Sequence, residues 1–412
     1  MEGKLKVIVI GAGAAGLLAA GTAAKNGCDV TLIERNDKIG RKLLITGKGR
    51  CNMTNSAEIE DMIRMYPTNA KFLYSALYTF TNTDLIALIE ANGTKTKVER
   101  GGRVFPVSDK AADVVRALEI YIRGVRLVHS RVSALIIEDG EVKGVRTRKG
   151  DMYADRVIVA TGGCSYPATG STGDGYKFAR QAGHTVTEIR PSLVPLETEE
   201  GFVRDVMGLS LRNIGIAAYD EKGKKQYEDF GEMLFTHFGI SGPTVLSMSA
   251  HLKHNKKYTV AIDLKPALDE GKLKARIIRD FEKAPKKHLI NSLDELLPKA
   301  LIPVIVRNSG IEPHKAVCEI TREERAALID AIKHLRLTIK GTRPVEEAIV
   351  TSGGVKVSEI DPSTMESKKV HGLYFAGEVI DVDGYTGGFN LQAAFSTGYL
   401  AGESCAKERQ GK

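Results

Sequence analysis

Three glycines, Gly11, Gly13 and Gly16, stand at Gly-x-Gly-x-x-Gly spacing between an apolar run and an alanine-rich stretch. In a strand–turn–helix setting each has its own task. The first permits a tight turn, the second lets backbone approach a pyrophosphate, and the third lets the helix pack on its strand. Ala14 and Ala15 then fall in the first turn, where free N–H groups face phosphate oxygens. Glu34 lies 18 residues beyond Gly16, at the end of a second apolar run. Its carboxylate is placed to accept hydrogen bonds from a ribose diol, with Arg35 beside it. The set points to a dinucleotide with an unphosphorylated ribose and does not choose between NAD and FAD.

The positioning elements follow from the hydrophobic pattern. Residues 5–10 form the near-continuous apolar run of a parallel strand buried on both faces. Ala14–Lys25 reads as a helix stopped at Asn26-Gly27, and Asp29–Glu34 as the second strand. Ile39–Asn55 is rich in Gly, Lys, Arg and Asn without periodicity, which predicts a functional loop. Helical spacing recurs over 69–79, 83–92 and 110–123. Strands are expected over 125–129, 131–138 and 141–148, the last two joined at Asp139-Gly140, and over 155–161. Beyond residue 190 the character changes. Strand-like segments at 210–219 and 258–264 precede a charged helical stretch, in which Thr321 and Glu324 form a capping box. Strand pattern returns at 347–351 and 373–376. The expected organisation is one nucleotide-binding domain in two parts, 1–190 and 341–412. A β-rich insertion (191–268) and a helical one (269–340) separate them.

Composition narrows the class. The chain has 412 residues, 42% hydrophobic and 27% charged, as in a soluble globular protein of more than one domain. Its five cysteines, Cys28, Cys51, Cys164, Cys318 and Cys405, are widely spaced with no Cys-x-x-Cys. That argues against a disulfide framework and a structural zinc, fits a reducing cytoplasm, and leaves no metal ligand set to nominate. No apolar run approaches the ~20 residues of a membrane-spanning helix. The net charge of +8 is spread in short lysine pairs, so a solvated basic surface is expected before a nucleic-acid patch.

Distant segments carry a resemblance. Arg156–Gly163 (Arg-Val-Ile-Val-Ala-Thr-Gly-Gly), Leu373–Glu378 (Leu-Tyr-Phe-Ala-Gly-Glu) and Gly387–Ala394 (Gly-Gly-Phe-Asn-Leu-Gln-Ala-Ala) occur in that order. Thr46–Asn55, Gly170–Gly175 and Leu234–Pro243 accompany them. Over almost its whole length the chain resembles the bacterial FAD-dependent "NAD(FAD)-utilising dehydrogenases", related in fold to the flavoprotein subunits of fumarate reductase and succinate dehydrogenase. Members have been labelled aminoacetone-oxidase-like, or reductases of conjugated double bonds in oxidised bile acids.

The resemblance implies an α/β fold: a split Rossmann-type FAD-binding domain with an inserted β-rich plus helical domain. It assigns Thr161, Gly162, Gly377 and Val132 to the cofactor, and Glu378, where the pattern has Asp, to the ribityl chain. Gly388, Phe389 and Asn390 would open a helix aimed at the flavin, whose positive end stabilises reduced flavin. Gly49, Arg50, Cys51 and Asn52 would line it from the Thr46–Asn55 loop. Cys164 and Asp174 are read as structural, Asp174 as a helix cap. His237 and Tyr385 are the catalytic candidates, with Arg103 a weaker electrostatic partner. The implied activity is hydride transfer through flavin N5, to an activated C=C bond or from an amine, on a small organic substrate. NAD(P)H would visit transiently as donor, since no second fingerprint is present. The competing readings are a non-catalytic FAD sensor and a flavoprotein acting on RNA.

Overall fold

The computed structural model describes residues 4–252 and 256–407. The chain divides into two compact units, Met1–Ser192 with Val345–Lys412, and Leu193–Pro344.

The first unit is built on a five-stranded parallel sheet. Its strands are β1 (Lys6–Ile10), β2 (Asp29–Glu34), β3 (Arg126–His129), β4 (Arg156–Val159) and β5 (Leu373–Phe375), in the order β5-β4-β1-β2-β3. β1 is the centre, paired with β2 and β4, and Val7 to Ile10 are buried as a strand covered on both faces must be. Helix α1 (Ala14–Lys25) follows β1, and helix α2 (Phe389–Cys405) ends the described chain.

These two helices come from opposite ends of the sequence and pack backbone to backbone. A Cβ at Gly398 would collide with the carbonyl of Ala15, and one at Gly402 with that of Ala19. Only glycine permits that approach.

Around the sheet the turn chemistry is as the residues dictate. Asp139 and Gly140 both take positive φ (50° and 76°) and join Val132–Glu138 to Glu141–Thr147, the twist a two-residue hairpin needs. Thr81 and Asp84 make a capping box at the helix Asn82–Ala91. The 39–55 segment is more ordered than its composition suggests. Arg41–Ile45 is helical, Gly47, Lys48 and Cys51 are left-handed (φ 57°, 59°, 60°), and Thr54–Asn55 pairs with Arg103–Pro106. Its order comes from a partner about fifty residues away, which local periodicity does not register.

The second unit is a closed six-stranded barrel, ordered Leu196–Thr198, Gly239–Ser241, Lys225–Phe235, Ser210–Asp220, Tyr258–Asp263 and Leu335–Thr342. Helices Glu270–Glu282, Ile302–Ser309 and Arg322–Lys333 lie between the last two strands in sequence, and Thr321 caps the third with Glu324 as expected. Helices and barrel share one core cluster. The insertion is therefore a single unit where the composition suggested two. Leu335–Thr342, expected to be the end of the helical stretch and the start of the returning domain, alternates buried Leu335, Leu337 and Ile339 with outward residues and closes the barrel. Ser241 is the last residue of a strand and does not cap a helix; Gly242 precedes the helix Pro243–Ser249 without a side-chain cap.

Among the described residues no helix is long and apolar enough to cross a membrane. The α1–α2 contact yields a direct expectation. Gly402→Val forces the helices apart and lowers unfolding stability by about 1–3 kcal/mol in a denaturant titration. An unchanged midpoint would show that the contact is dispensable.

Candidate functional site: a dinucleotide cavity between two helix N-termini

A cavity of about 370 Å³ runs along the carboxyl edge of the sheet, and all of its lining residues belong to the first unit. The fingerprint glycines divide by task. Gly11 (φ 101°) donates to Ile33 O at 2.8 Å, and a Cβ there would lie 2.6 Å from Ala160 O. A Cβ at Gly16 would overlap Gly11 O, so Gly16 seats the helix on the turn and does not itself line the cavity. Gly13 differs: its φ of −87° suits any residue, and an added Cβ meets nothing within 4 Å. The protein leaves that space open on the cavity, beside the free N–H groups that start α1 at Ala14 and Ala15.

Glu34, 7% exposed, joins the ends of β1 and β2. Its Oε2 accepts from Ala12 N–H at 2.8 Å, and its Oε1 from the Asn36 N–H and Nδ2 at 2.8 Å each. Oε2 keeps an acceptor position for a ribose hydroxyl. Arg35 and Val132 line the same end. Arg35 is drawn to Thr172 (2.6 Å) and Asp174 (3.3 Å). Asp174 also takes Arg131 at 2.9 Å. Burial raises the Asp174 pKa, but the Arg131 and Lys177 cations outweigh it and hold the carboxyl below its ordinary range. Asp174 is thus an ion-pairing first-turn residue of Asp174–Gln181, where a helix cap was expected; Gly173 occupies the cap.

In the middle of the cavity, Thr161 and Gly162 line the wall. A Cβ at Gly163 would collide with Thr351 Oγ1 and come within 2.8 Å of Glu378 Oε1. Glu378, expected on the ribityl chain, lines the cavity but its oxygens are engaged by the protein. Lys42 Nζ binds Oε2 at 2.5 Å, while Ser165 Oγ and Thr351 N–H donate to Oε1 at 2.9 Å. Burial pushes the Glu378 pKa up, and Lys42 with these donors more than reverses it, keeping the carboxylate ionised. Lys42 also donates to Ser165 Oγ at 2.6 Å. Lys42, Ser165 and Thr351 had no sequence signal; only the fold assembles them.

The far end is closed by α2. Gly377 (φ 76°), Gly388 (φ 103°) and Asn390 line the cavity, and no side chain caps the helix. Asn390 holds the preceding loop, accepting from Gly384 N–H at 2.8 Å and donating to Gly384 O at 2.6 Å. Phe389 departs from expectation: its ring is buried edge-on against Tyr66, with centroids 6.5 Å apart, and is absent from the cavity wall. Tyr385 lines the cavity beside Gly387 and Gly388.

The Thr46–Asn55 loop contributes Asn52 but not the neighbours expected with it. Arg50 is drawn away by Glu99 and by Asp109 (2.8 Å) and lies 4.1 Å over the Phe105 ring. Gly49 (φ 83°) serves the turn. Cys51 is fully buried, and burial pushes its thiol up to about 12, so it packs as a neutral group. Arg103 sits on the strand beside Phe105 and does not line the cavity. His237 is exposed, in the turn between Lys225–Phe235 and Gly239–Ser241 of the second unit.

The cavity suits a dinucleotide. Two buried oxygens on its wall, Asn52 Oδ1 and Thr161 Oγ1, have no hydrogen-bond partner among the described residues. Gly13 leaves room where any side chain would intrude, and both helices present unbonded first-turn N–H groups.

Comparison with known proteins agrees with this geometry. The family model for the HI0933-like protein Rossmann domain matches residues 5–404. The chain is 35% identical over 420 residues to the 3-dehydro-bile acid delta(4,6)-reductase of Clostridium scindens, covering 98% of this chain and 99% of that protein. It is 38% identical over 411 residues to the ribosomal RNA dihydrouridine synthase of Haemophilus influenzae, covering 97% and 98%. In fold it matches the 3-ketosteroid-delta4-(5alpha)-dehydrogenase of Rhodococcus jostii RHA1, with a TM-score of 0.52 at 16% identity over 99% and 98% of the two chains. Fold and site define an FAD-dependent oxidoreductase with a split Rossmann-type domain. Within that class the chain belongs to the HI0933-like family.

The roles of the glycines separate experimentally. Gly13→Ala leaves the unfolding midpoint of the cofactor-free protein within about 0.5 kcal/mol of wild type while weakening FAD binding at least tenfold. Equal FAD affinity for the variant would remove Gly13 from the site.

Proposed function

We propose that the chain saturates a carbon–carbon double bond conjugated to a carbonyl. The observation that carries this reading is the open N-terminus of α2 at Gly388, which meets the cavity beside Tyr385. Bound FAD supplies hydride from its reduced form, and the product gains that hydride on one carbon and a proton on the other. A nicotinamide dinucleotide of the NAD(P)H class would supply the electrons, so the net reaction would consume one NAD(P)H and one proton for each bond saturated.

The chain's own groups divide the remaining work. The positive end of α2 favours the negative charge that accompanies reduction. Gly11, Gly13 and the start of α1 would hold the pyrophosphate, Glu34 the adenosine ribose, and Thr161 Oγ1 and Asn52 Oδ1 the polar edge of the cofactor. Tyr385 is the assigned proton donor at the cavity.

The names of the two relatives support the bond type. A 3-keto-4,6-diene and a uracil ring both present C=C conjugated to C=O. For the carrier of that bond, the somewhat higher identity to the ribosomal RNA dihydrouridine synthase, 38% against 35%, favours a uracil held on ribosomal RNA. The 35% identical relative supports a second reading, a small conjugated ketone.

The test gives the reduced holoenzyme two substrates under anaerobic conditions: ribosomal RNA from cells lacking this chain, and a 3-keto-4,6-diene steroid. Expected is dihydrouridine at a defined RNA position with matching reoxidation of the flavin. Saturation of the steroid alone would shift the assignment to the small ketone. Turnover of neither, with reduction of the flavin by an amine instead, would overturn the reaction.

A further inference from the structure

The Thr46–Asn55 motif was expected to touch the cofactor through its central residues, yet its last two, Thr54 and Asn55, are among the most buried polar groups of the chain (0% and 4% exposed). They do not line the cavity. Both are spent on α2. A Cβ at Gly388 would come within 2.8 Å of Thr54 Cα and collide with its carbonyl, so this strand abuts the first residue before the helix. Asn55 Nδ2 donates to Gly387 O at 3.1 Å and to Gly101 O at 2.9 Å. Thr54 Oγ1 donates to Gln392 Oε1 at 2.6 Å. Gln392 Nε2 in turn donates to Ser396 Oγ at 2.9 Å, and Ser396 Oγ to Phe80 O at 2.6 Å. From the other side, Tyr66 Oη donates to Phe389 O at 2.7 Å.

Gln392 and Ser396 are both fully buried one turn apart on α2. An apolar contact would seal the same space without the desolvation cost of four polar side chains. A hydrogen-bonded set adds direction: it admits one rotation and one axial position of the helix. What that direction fixes is where the unbonded N–H groups of Phe389, Asn390 and Leu391 point, and Asn390 and Leu391 line the cavity.

We propose that Thr54, Asn55, Gln392, Ser396 and Tyr66 are positioning residues that aim the positive end of α2 at the flavin and so set its reduction potential. The proposal rests on FAD binding and is independent of which double bond is reduced. Potential and cofactor affinity stay measurable if the substrate assignment fails.

Loss of aim weakens the stabilisation of reduced flavin, so the potential moves negative. The experiment is a redox titration of FAD-loaded Thr54→Val and Tyr66→Phe, with Thr54→Ser as the conservative variant, alongside FAD dissociation constants. Tyr66→Phe deletes one oxygen and keeps the ring, which guards against a Thr54→Val variant that fails to fold. Expected for Tyr66→Phe and Thr54→Val is a roughly fivefold fall in the reduced-to-oxidised ratio at the wild-type midpoint, about 20 mV for a two-electron couple. Thr54→Ser returns to wild type. Wild-type potentials in both Tyr66→Phe and Thr54→Val, even with weaker FAD binding or lower stability, would reduce the network to packing and overturn the proposal.

Discussion

The approach of α1 to α2 is the constraint on which the site depends. Ala15 and Ala19 present carbonyls to Gly398 and Gly402, where no side chain larger than hydrogen fits. That contact sets the start of one helix, reached after 13 residues, beside the start of another that begins at Phe389. Each start carries unbonded N–H groups and the positive end of a helix dipole. One such start suits a pyrophosphate, the other a ring that gains negative charge on reduction. The whole second unit is inserted between the two halves of this arrangement without interrupting it, because the chain leaves at Ser192 and returns at Val345.

Buried charge is handled in two ways along the cavity. Glu34 is held by three N–H donors and no cation, which fixes its position and leaves an acceptor for a ligand. Glu378 is neutralised by Lys42 and by donors from Ser165 and Thr351, so its charge is already answered before any ligand arrives. Two carboxylates, Glu34 at the end of one strand and Glu378 just beyond another, therefore take different parts. One is free to recognise. The other ties the segment returning from the second unit, at Thr351, to Lys42 near the beginning of the chain.

Much of this was legible in the sequence, and the physical reason is locality. Gly11, Gly13, Gly16 and Glu34 act through turn geometry and strand ends, which spacing encodes. The Asp139-Gly140 hairpin and the Thr321 capping box are equally local. What escaped depends on partners far along the chain. Arg50 has the composition of a cofactor ligand, but Glu99 and Asp109 claim it. Phe389 starts the right helix and turns its ring inward onto Tyr66. Lys42 looked like one basic residue among several until Ser165 and Glu378 closed on it. Leu335–Thr342 was different: its period-two alternation was present in the sequence and was masked by the helical stretch before it.

One cavity, assembled from both ends of the chain, has the lining to take up FAD. That uptake is tested most directly by the visible absorption spectrum of the purified chain after incubation with FAD and removal of the excess. The expected result is the two-banded spectrum of oxidised flavin at about one equivalent per chain, bleached on reduction. A colourless protein after that treatment, in a sample shown to be folded, would contradict it.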